Sequence, residues 1–351
     1  MNREDFPILK SNIIYFDNGA TTLKPYILSD SLTDYYNNYS ANAHRGDYDI
    51  SLKVNAMYEN TRELVKDFIN AKSANQIAFT NNCTDSLNKI VFGYFKYNLK
   101  SGDEVLLTKA EHASNILPWF ELSSQIGIKV NYIDLDSNHK VTLENVKKSI
   151  TPNTKVISIA HITNVVGDIR PIKEIIDYAH KLNIKVVIDG AQSVPHMKID
   201  VQDLDMDFLA FSAHKMCGPT GVGVIYVKEE LLNDIKPIIY GGGMNTSFEF
   251  DMTREYKKMP YVLEAGTPNI ADVIAFGSVI NYLNKIGIKN IEQKEKDLKE
   301  LQAKLLESNN KIVELTEKND SLNKAVSELE IENTEYKETE QKIFELLNPS
   351  M

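Results

Sequence analysis

The run Phe208-Leu209-Ala210-Phe211-Ser212-Ala213-His214-Lys215, followed by Gly218-Pro219-Thr220-Gly221, decides how the rest of the chain is read. Its first half is continuously apolar and short, the pattern of a strand buried on both faces. It then passes into small residues that turn the chain and present one lysine, with a glycine-rich loop after it. A lysine amine attacks an aldehyde only when unprotonated, so a reactive lysine is placed where burial and neighbours favour the neutral form. Ser212 and His214 stand where they could donate hydrogen bonds to a phosphate. Taken alone, the run also fits a strand that ends in an ordinary solvated lysine.

The preceding apolar run, Val186-Val187-Ile188-Asp189-Gly190-Ala191-Gln192, ends in a carboxylate. A pyridine ring acts as an electron sink only while its nitrogen is protonated, and a carboxylate beside that nitrogen keeps it so. Asp189 also fits a helix N-cap, a reading that spacing leaves open. Asp189, Gln192 and Lys215 together are harder to explain that way.

Farther out, the β-branched runs Glu104–Thr108, Lys155–Ala160, Lys185–Ile188 and Gly223–Val227 read as buried parallel strands. Helical patterns lie between them, such as Pro171–Leu182, where a proline opens the first turn. The alternation predicts an α/β domain with a mostly parallel sheet over residues 1–290, and ligands in such sheets gather at the carboxyl ends of the strands. The chain has 351 residues, enough for one large domain plus an appendage, and a formal charge of −10 that argues against a nucleic-acid partner. No apolar run is long enough to cross a bilayer and no secretory signal opens the chain, so no membrane association is expected. The two cysteines, Cys83 and Cys217, imply no disulfide framework and make a reducing cytoplasm the default; no metal site is expected.

Near residue 290 the sequence changes character. Glycine disappears, and apolar residues fall into a 3-4 spacing over residues 291–348. One set is Ile291, Leu298, Leu305, Ile312, Asn319, Val326, Asn333, Glu340 and Leu347; the interleaved set is Leu301, Ser308, Leu315, Leu322, Leu329, Tyr336 and Ile343. These are the a and d positions of a coiled coil about eight heptads long. β-Branched residues at some a positions with leucine at most d positions favour a parallel pair, and Asn319 and Asn333 would fix its register. The alternative is one amphipathic helix folded back on the domain. At 1.5 Å per residue the helix would be roughly 90 Å long, more than one domain covers, which favours a self-paired stalk.

Six stretches complete the pattern: Phe16-Asp17-Asn18-Gly19-Ala20-Thr21-Thr22, Ala43-His44-Arg45-Gly46, Glu111-His112-Ala113-Ser114-Asn115, Asp189-Gly190-Ala191-Gln192, Ser212-Ala213-His214-Lys215 and Glu264-Ala265-Gly266-Thr267-Pro268-Asn269. In this order they resemble the group II cysteine desulfurases and selenocysteine lyases of iron–sulfur assembly, enzymes of the class V aminotransferase fold. The resemblance implies a fold type I large domain and a pyridoxal 5'-phosphate cofactor. It assigns Lys215 the Schiff base and the shuttling of the substrate α-proton. Asp189 would pair with the ring nitrogen and Gln192 with the phenolic oxygen. His112 would stack on the ring and could transfer protons. Thr84 and Asp85, at the start of a helix, would sit at the phosphate, a favourable place for an anion. Ser212 and His214 would complete that cradle, and Thr267 would reach the phosphate of a neighbouring protomer, making the site a property of a homodimer. Asn164 would lie near the substrate carboxylate, with His44 and Arg45 as further substrate contacts, the substrate being cysteine or selenocysteine.

The sequence departs from that family after residue 290. There the family carries a small domain with the mobile cysteine that takes the substrate sulfur and the arginine that clamps the substrate carboxylate. The heptad segment stands in its place and contains neither residue type; the last arginine is Arg254. Cys83, ahead of a helix whose dipole lowers thiol pKa values, and Cys217, beside Lys215, read as packing residues on the phosphate side. Losing the clamp removes a contact worth roughly 1.5–3 kcal/mol, and losing the nucleophile removes the desulfuration step. Three readings follow. One is a lyase or desulfurase with a sulfur acceptor; another is an impaired homologue serving as a coiled-coil assembly protein; the third is a cofactor enzyme with another amino-acid reaction.

Overall fold

A computed structural model describes residues 2–43, 46–138 and 140–347. Its contacts divide the chain into two units, residues 1–292 and 293–351.

The first unit is built on a seven-stranded sheet in the order β1-β7-β6-β5-β4-β2-β3. The strands are β1 (Ile77–Thr80), β2 (Glu104–Leu107), β3 (Lys129–Tyr132), β4 (Thr154–Ala160), β5 (Lys185–Asp189), β6 (Phe208–Ser212) and β7 (Gly223–Val227). The pairs β2–β3, β2–β4, β4–β5 and β5–β6 are parallel. Strand β7 runs antiparallel to both β6 and β1, which corrects the expectation of a parallel Gly223–Val227 strand. The physical reason is the connection: residues 213–222 form a tight turn and loop, too short for the crossover that a parallel return requires.

Both faces of the sheet are covered, which is why its strands read as unbroken apolar runs. Alternate residues serve opposite faces. Leu106, Ile157, Ile188, Leu209 and Val224 join one buried cluster with the helices Tyr26–Asn38, Asp49–Phe68, Ile172–Lys181 and Ile270–Ile286. Val105, Val187, Phe208, Ala210 and Ile225 join the other, with the helices Cys83–Ile90 and Leu117–Ile126. Phe95 packs there against Trp119 and Phe208 in a tilted aromatic cluster, with ring centroids 5.1 and 5.4 Å away. A small antiparallel hairpin, β8 (Asn245–Phe248) with β9 (Arg254–Tyr256), lies outside the main sheet.

Two buried ion pairs tie distant segments of this unit together. Arg62 forks onto Glu264 at 2.6 and 2.9 Å, while Glu264 also accepts from the Phe79 amide at 2.7 Å. The second pair, Arg170 with Glu111, lies under the functional site and is described below.

The helix Ile288–Leu347 begins in the first unit, where Ile288 and Ile291 pack against the core, and supplies the second unit. Every described side chain from 293 to 345 is exposed, including the leucines of the heptad seam. No helix among the described residues is long and apolar enough to cross a membrane.

Candidate functional site

The parallel strands deliver their last residues to one place. Register sets Ala160 beside Asp189 and Asp189 beside Ala210, so β4 and β5 end level and β6 runs two residues farther, to Ser212. Above them opens a cavity of about 710 Å³ lined by Asp189, Gln192, Ser212, His214 and Lys215, by Thr84 and His112, and by Asn164. The N-terminal segment contributes Phe16, Asp17, Gly19 and Ala20, and Cys83 and Ser114 also reach it. The sheet therefore gathers most of the residues singled out from the sequence.

Asp189 is buried at the floor. One carboxylate oxygen accepts from the Ala191 amide at 2.9 Å and from the Cys83 thiol at 3.4 Å. Burial pushes its pKa above the ordinary carboxylate value, an effect the Ala191 amide opposes. The turn after it is tight: a side chain at Gly190 would meet the Leu209 Cδ1 methyl at 2.6 Å and displace that buried side chain. Gln192 is aimed by a hydrogen bond from its amide nitrogen to the Gly19 carbonyl at 2.8 Å.

Lys215 closes the 3-10 turn Ala213–Lys215 that follows β6. That turn is clamped from the N-terminal segment, because the His214 carbonyl accepts from the Thr22 amide at 3.1 Å and from Lys24 at 2.7 Å. Burial lowers the Lys24 pKa to about 8. Burial also lowers that of His214, helped by Lys215 and Lys24, so its ring is held neutral near pH 7.

The helix Cys83–Ile90 points its N-terminus at the cavity. Asn82 caps it by accepting from the Asp85 amide at 2.9 Å, and Ser212 accepts from the Cys83 amide at 2.7 Å. The Ser212 hydroxyl hydrogen stays available. Thr84 and Ser114 share a hydrogen bond of 2.7 Å, and Ser114 lies 2.9 Å from Nδ1 of His112. The Ser114 amide also donates to that Nδ1, at 3.1 Å. An amide N–H can only donate, so a neutral His112 carries its hydrogen on Nε2.

Beneath this layer is a buried polar network invisible in the motif reading. Arg170 pairs with Glu111 and donates to Thr108 at 2.8 Å and to the Ala160 carbonyl at 3.2 Å. Glu111 in turn accepts from the Ala160 amide at 2.7 Å and from Asn115 at 2.9 Å. It ties the loop that carries His112 to the end of β4. No local signal marks Arg170 for this role, since its partner lies 59 positions away.

Other expectations come out differently. Asp85 does not line the cavity; its carboxylate accepts from the Asn81 amide at 2.9 Å and pairs with Lys89 at 3.2 Å, so it stabilises the helix start instead. Thr267, which the resemblance assigns to the phosphate of a neighbouring protomer and not to this site, does not line this cavity. Its neighbours Gly266 and Pro268 border a second cavity of about 410 Å³ with Glu264, Tyr261 and Lys257. His44 and Arg45 lie outside the described residues. Cys83 sits at a helix N-terminus as expected, yet its thiol pKa is raised well above the ordinary value. Burial is the main cause and the Asp189 carboxylate the next, and together they outweigh the helix dipole. The thiol also faces Asp189 rather than the phosphate side. Cys217 is buried in the core cluster, with its thiol pKa raised by burial.

A flat pyridine ring carrying a phosphate suits this lining. The buried Asp189 carboxylate lacks a cationic hydrogen-bond donor, and a protonated ring nitrogen is one. Thr84, Ser212, His214 and the helix N-terminus form the donor set a phosphate needs.

The profile of the class-V aminotransferase family matches residues 14–345, and the chain belongs to that family. A probable cysteine desulfurase of Halalkalibacterium halodurans is 41% identical over 298 residues, which are 84% of this chain and 73% of that protein. A cysteine desulfurase of Haloferax volcanii is 35% identical over 316 residues, 85% of this chain and 74% of the other. Among solved structures, the apo cysteine desulfurase of Thermococcus onnurineus NA1 superposes with a TM-score of 0.83 at 36% identity. That match covers 87% of this chain and 76% of the other.

Proposed function

We propose that the chain is a pyridoxal-phosphate protein of the cysteine desulfurase type, holding its cofactor on Lys215 and performing proton transfer at the α-carbon of cysteine or selenocysteine. The observation that carries this is the convergence of Asp189, Gln192, His112, Thr84, Ser212, His214 and Lys215 on one cavity at the strand ends. The bound cofactor supplies an electron sink for the α-carbon. Asp189 keeps the ring nitrogen protonated from a buried position where its charge is strongest. Thr84, Ser212, His214 and the helix N-terminus hold the phosphate. His112 covers the ring and presents Nε2–H toward the substrate. The Lys215 amine takes the α-proton and returns it. Asn164 orients the substrate carboxylate, and Thr267 serves the phosphate of a second protomer in a homodimer. The relatives named above act on cysteine by their names, which supports the substrate class, and the cytoplasm is the compartment that fits.

Transferring sulfur to the protein as a persulfide requires a thiolate to accept it. Cys83 is the one thiol in the lining, and it is buried, donates to Asp189 and has a raised pKa. It is a poor acceptor, and the heptad helix contains no cysteine or arginine. The reading therefore favours α-proton exchange over persulfide formation. Proton NMR of L-cysteine and L-alanine in D₂O with the cofactor-loaded protein tests it, with sulfide assayed in parallel. Loss of the α-proton signal with little sulfide supports the reading. Absence of exchange, with the cofactor demonstrably bound, defeats it and favours a second reading. In that second reading the protein retains the fold for assembly, as the exposed apolar seam of its last helix suggests.

A further inference from the structure

The helix Ile288–Leu347 carries more exposed apolar surface than water tolerates on a lone helix. From Leu298 to Leu329 each a and d hydrophobe is more than half exposed, from 52% at Val326 to 63% at Leu329. The exposed seam begins at Leu298, because Ile291 is already packed against the domain core.

We propose that the occupant of this seam is a second copy of the same helix, parallel and in register, from Leu298 to Tyr336. The polar seam positions choose the partner. In a parallel in-register pair Asn319 faces Asn319 and Asn333 faces Asn333, each able to donate and accept across the interface. An antiparallel pair that keeps the seam overlapped sets Asn319 against Leu315 and leaves its amide unsatisfied. The flanking positions agree. Reading each g residue against the next e residue of the second copy gives Lys304 with Asn309, Lys311 with Thr316, Lys318 with Asn323, Ala325 with Glu330 and Glu332 with Lys337. None of these is a like-charge contact, and the last is attractive. At Glu340 the seam would set two carboxylates face to face, so the pairing ends before it. The surface does not depend on the cofactor chemistry.

Ser308 provides the test, since it is a d position that a parallel pair places against itself. Cysteine at d suits a disulfide, and the native thiols Cys83 and Cys217 are buried. The full-length chain carrying Ser308→Cys is oxidised mildly and run without reductant. A covalent homodimer is expected, and the parent chain should remain unlinked. Adding Leu315→Lys and Leu322→Lys should cut the linked fraction about tenfold by charging the seam. Three results overturn the proposal. Absence of a Ser308→Cys cross-link points to another partner. A link that survives the charged seam reflects random collision. A link formed only on mixing Ser308→Cys with Val326→Cys chains means antiparallel pairing.

Discussion

Replacing Asp189 by asparagine isolates one charge in the site. The Ala191 amide and the Cys83 thiol can still donate to the side-chain oxygen, so the local geometry is retained. What disappears is the negative charge that would hold a ring-nitrogen proton. Hydrogen bonds to charged groups are worth about 1.5–3 kcal/mol, which at 1.4 kcal/mol per decade is about 10- to 100-fold in cofactor affinity. The empty protein should not suffer. Burial already raises the Asp189 pKa, so removing the charge relieves a desolvation penalty and leaves the melting temperature unchanged or higher. The assay is titration of the stripped protein with pyridoxal phosphate by absorbance, together with a thermal melt. Weakened binding of a stably folded Asp189→Asn variant is expected. Unchanged affinity would show that Asp189 does not meet the ring nitrogen.

Arg62→Met should destabilise the first unit by about 3–5 kcal/mol because Glu264 is left buried without its counter-charge; urea denaturation measures it, and a loss below about 1 kcal/mol would contradict the buried pairing. His180 sits 2.9 Å from Asp205 and 2.8 Å from Asp207. Its pKa is raised, first by the Asp207 hydrogen bond. A raised folded pKa stabilises fully below the ordinary histidine value of about 6.5 and is lost as pH rises through the folded pKa. His180→Asn should therefore cost on the order of 1 kcal/mol in acid and less at alkaline pH, and denaturation at several pH values would expose a flat difference if this is wrong. Cys83 and Cys217 should react slowly with a thiol reagent in the native protein and promptly once unfolded; fast native labelling of Cys83 would reopen a nucleophilic role.

Much of this molecule is legible in its sequence for a local reason. Strands buried on both faces read as apolar runs, and β4, β5 and β7 fall where those runs predict. Asp189 and Lys215 are visible because each follows such a run directly. The heptads are visible because their spacing needs no tertiary context. What escapes the sequence depends on distance or depth. The direction of β7 follows from a short connection that apolar patterning does not register. The Arg62–Glu264 pair joins positions 202 residues apart. Cys83 illustrates depth: its place at a helix start is legible, but the sign of its pKa shift is set by burial and by Asp189.

The central claim, that Lys215 holds pyridoxal phosphate over Asp189, is tested most directly by mixing protein and cofactor, reducing with borohydride, and digesting for mass spectrometry. The account predicts a visible absorption band before reduction and a pyridoxyl adduct on the Lys215 peptide, both abolished by Lys215→Ala. An adduct on another lysine, or none at saturating cofactor, would contradict it.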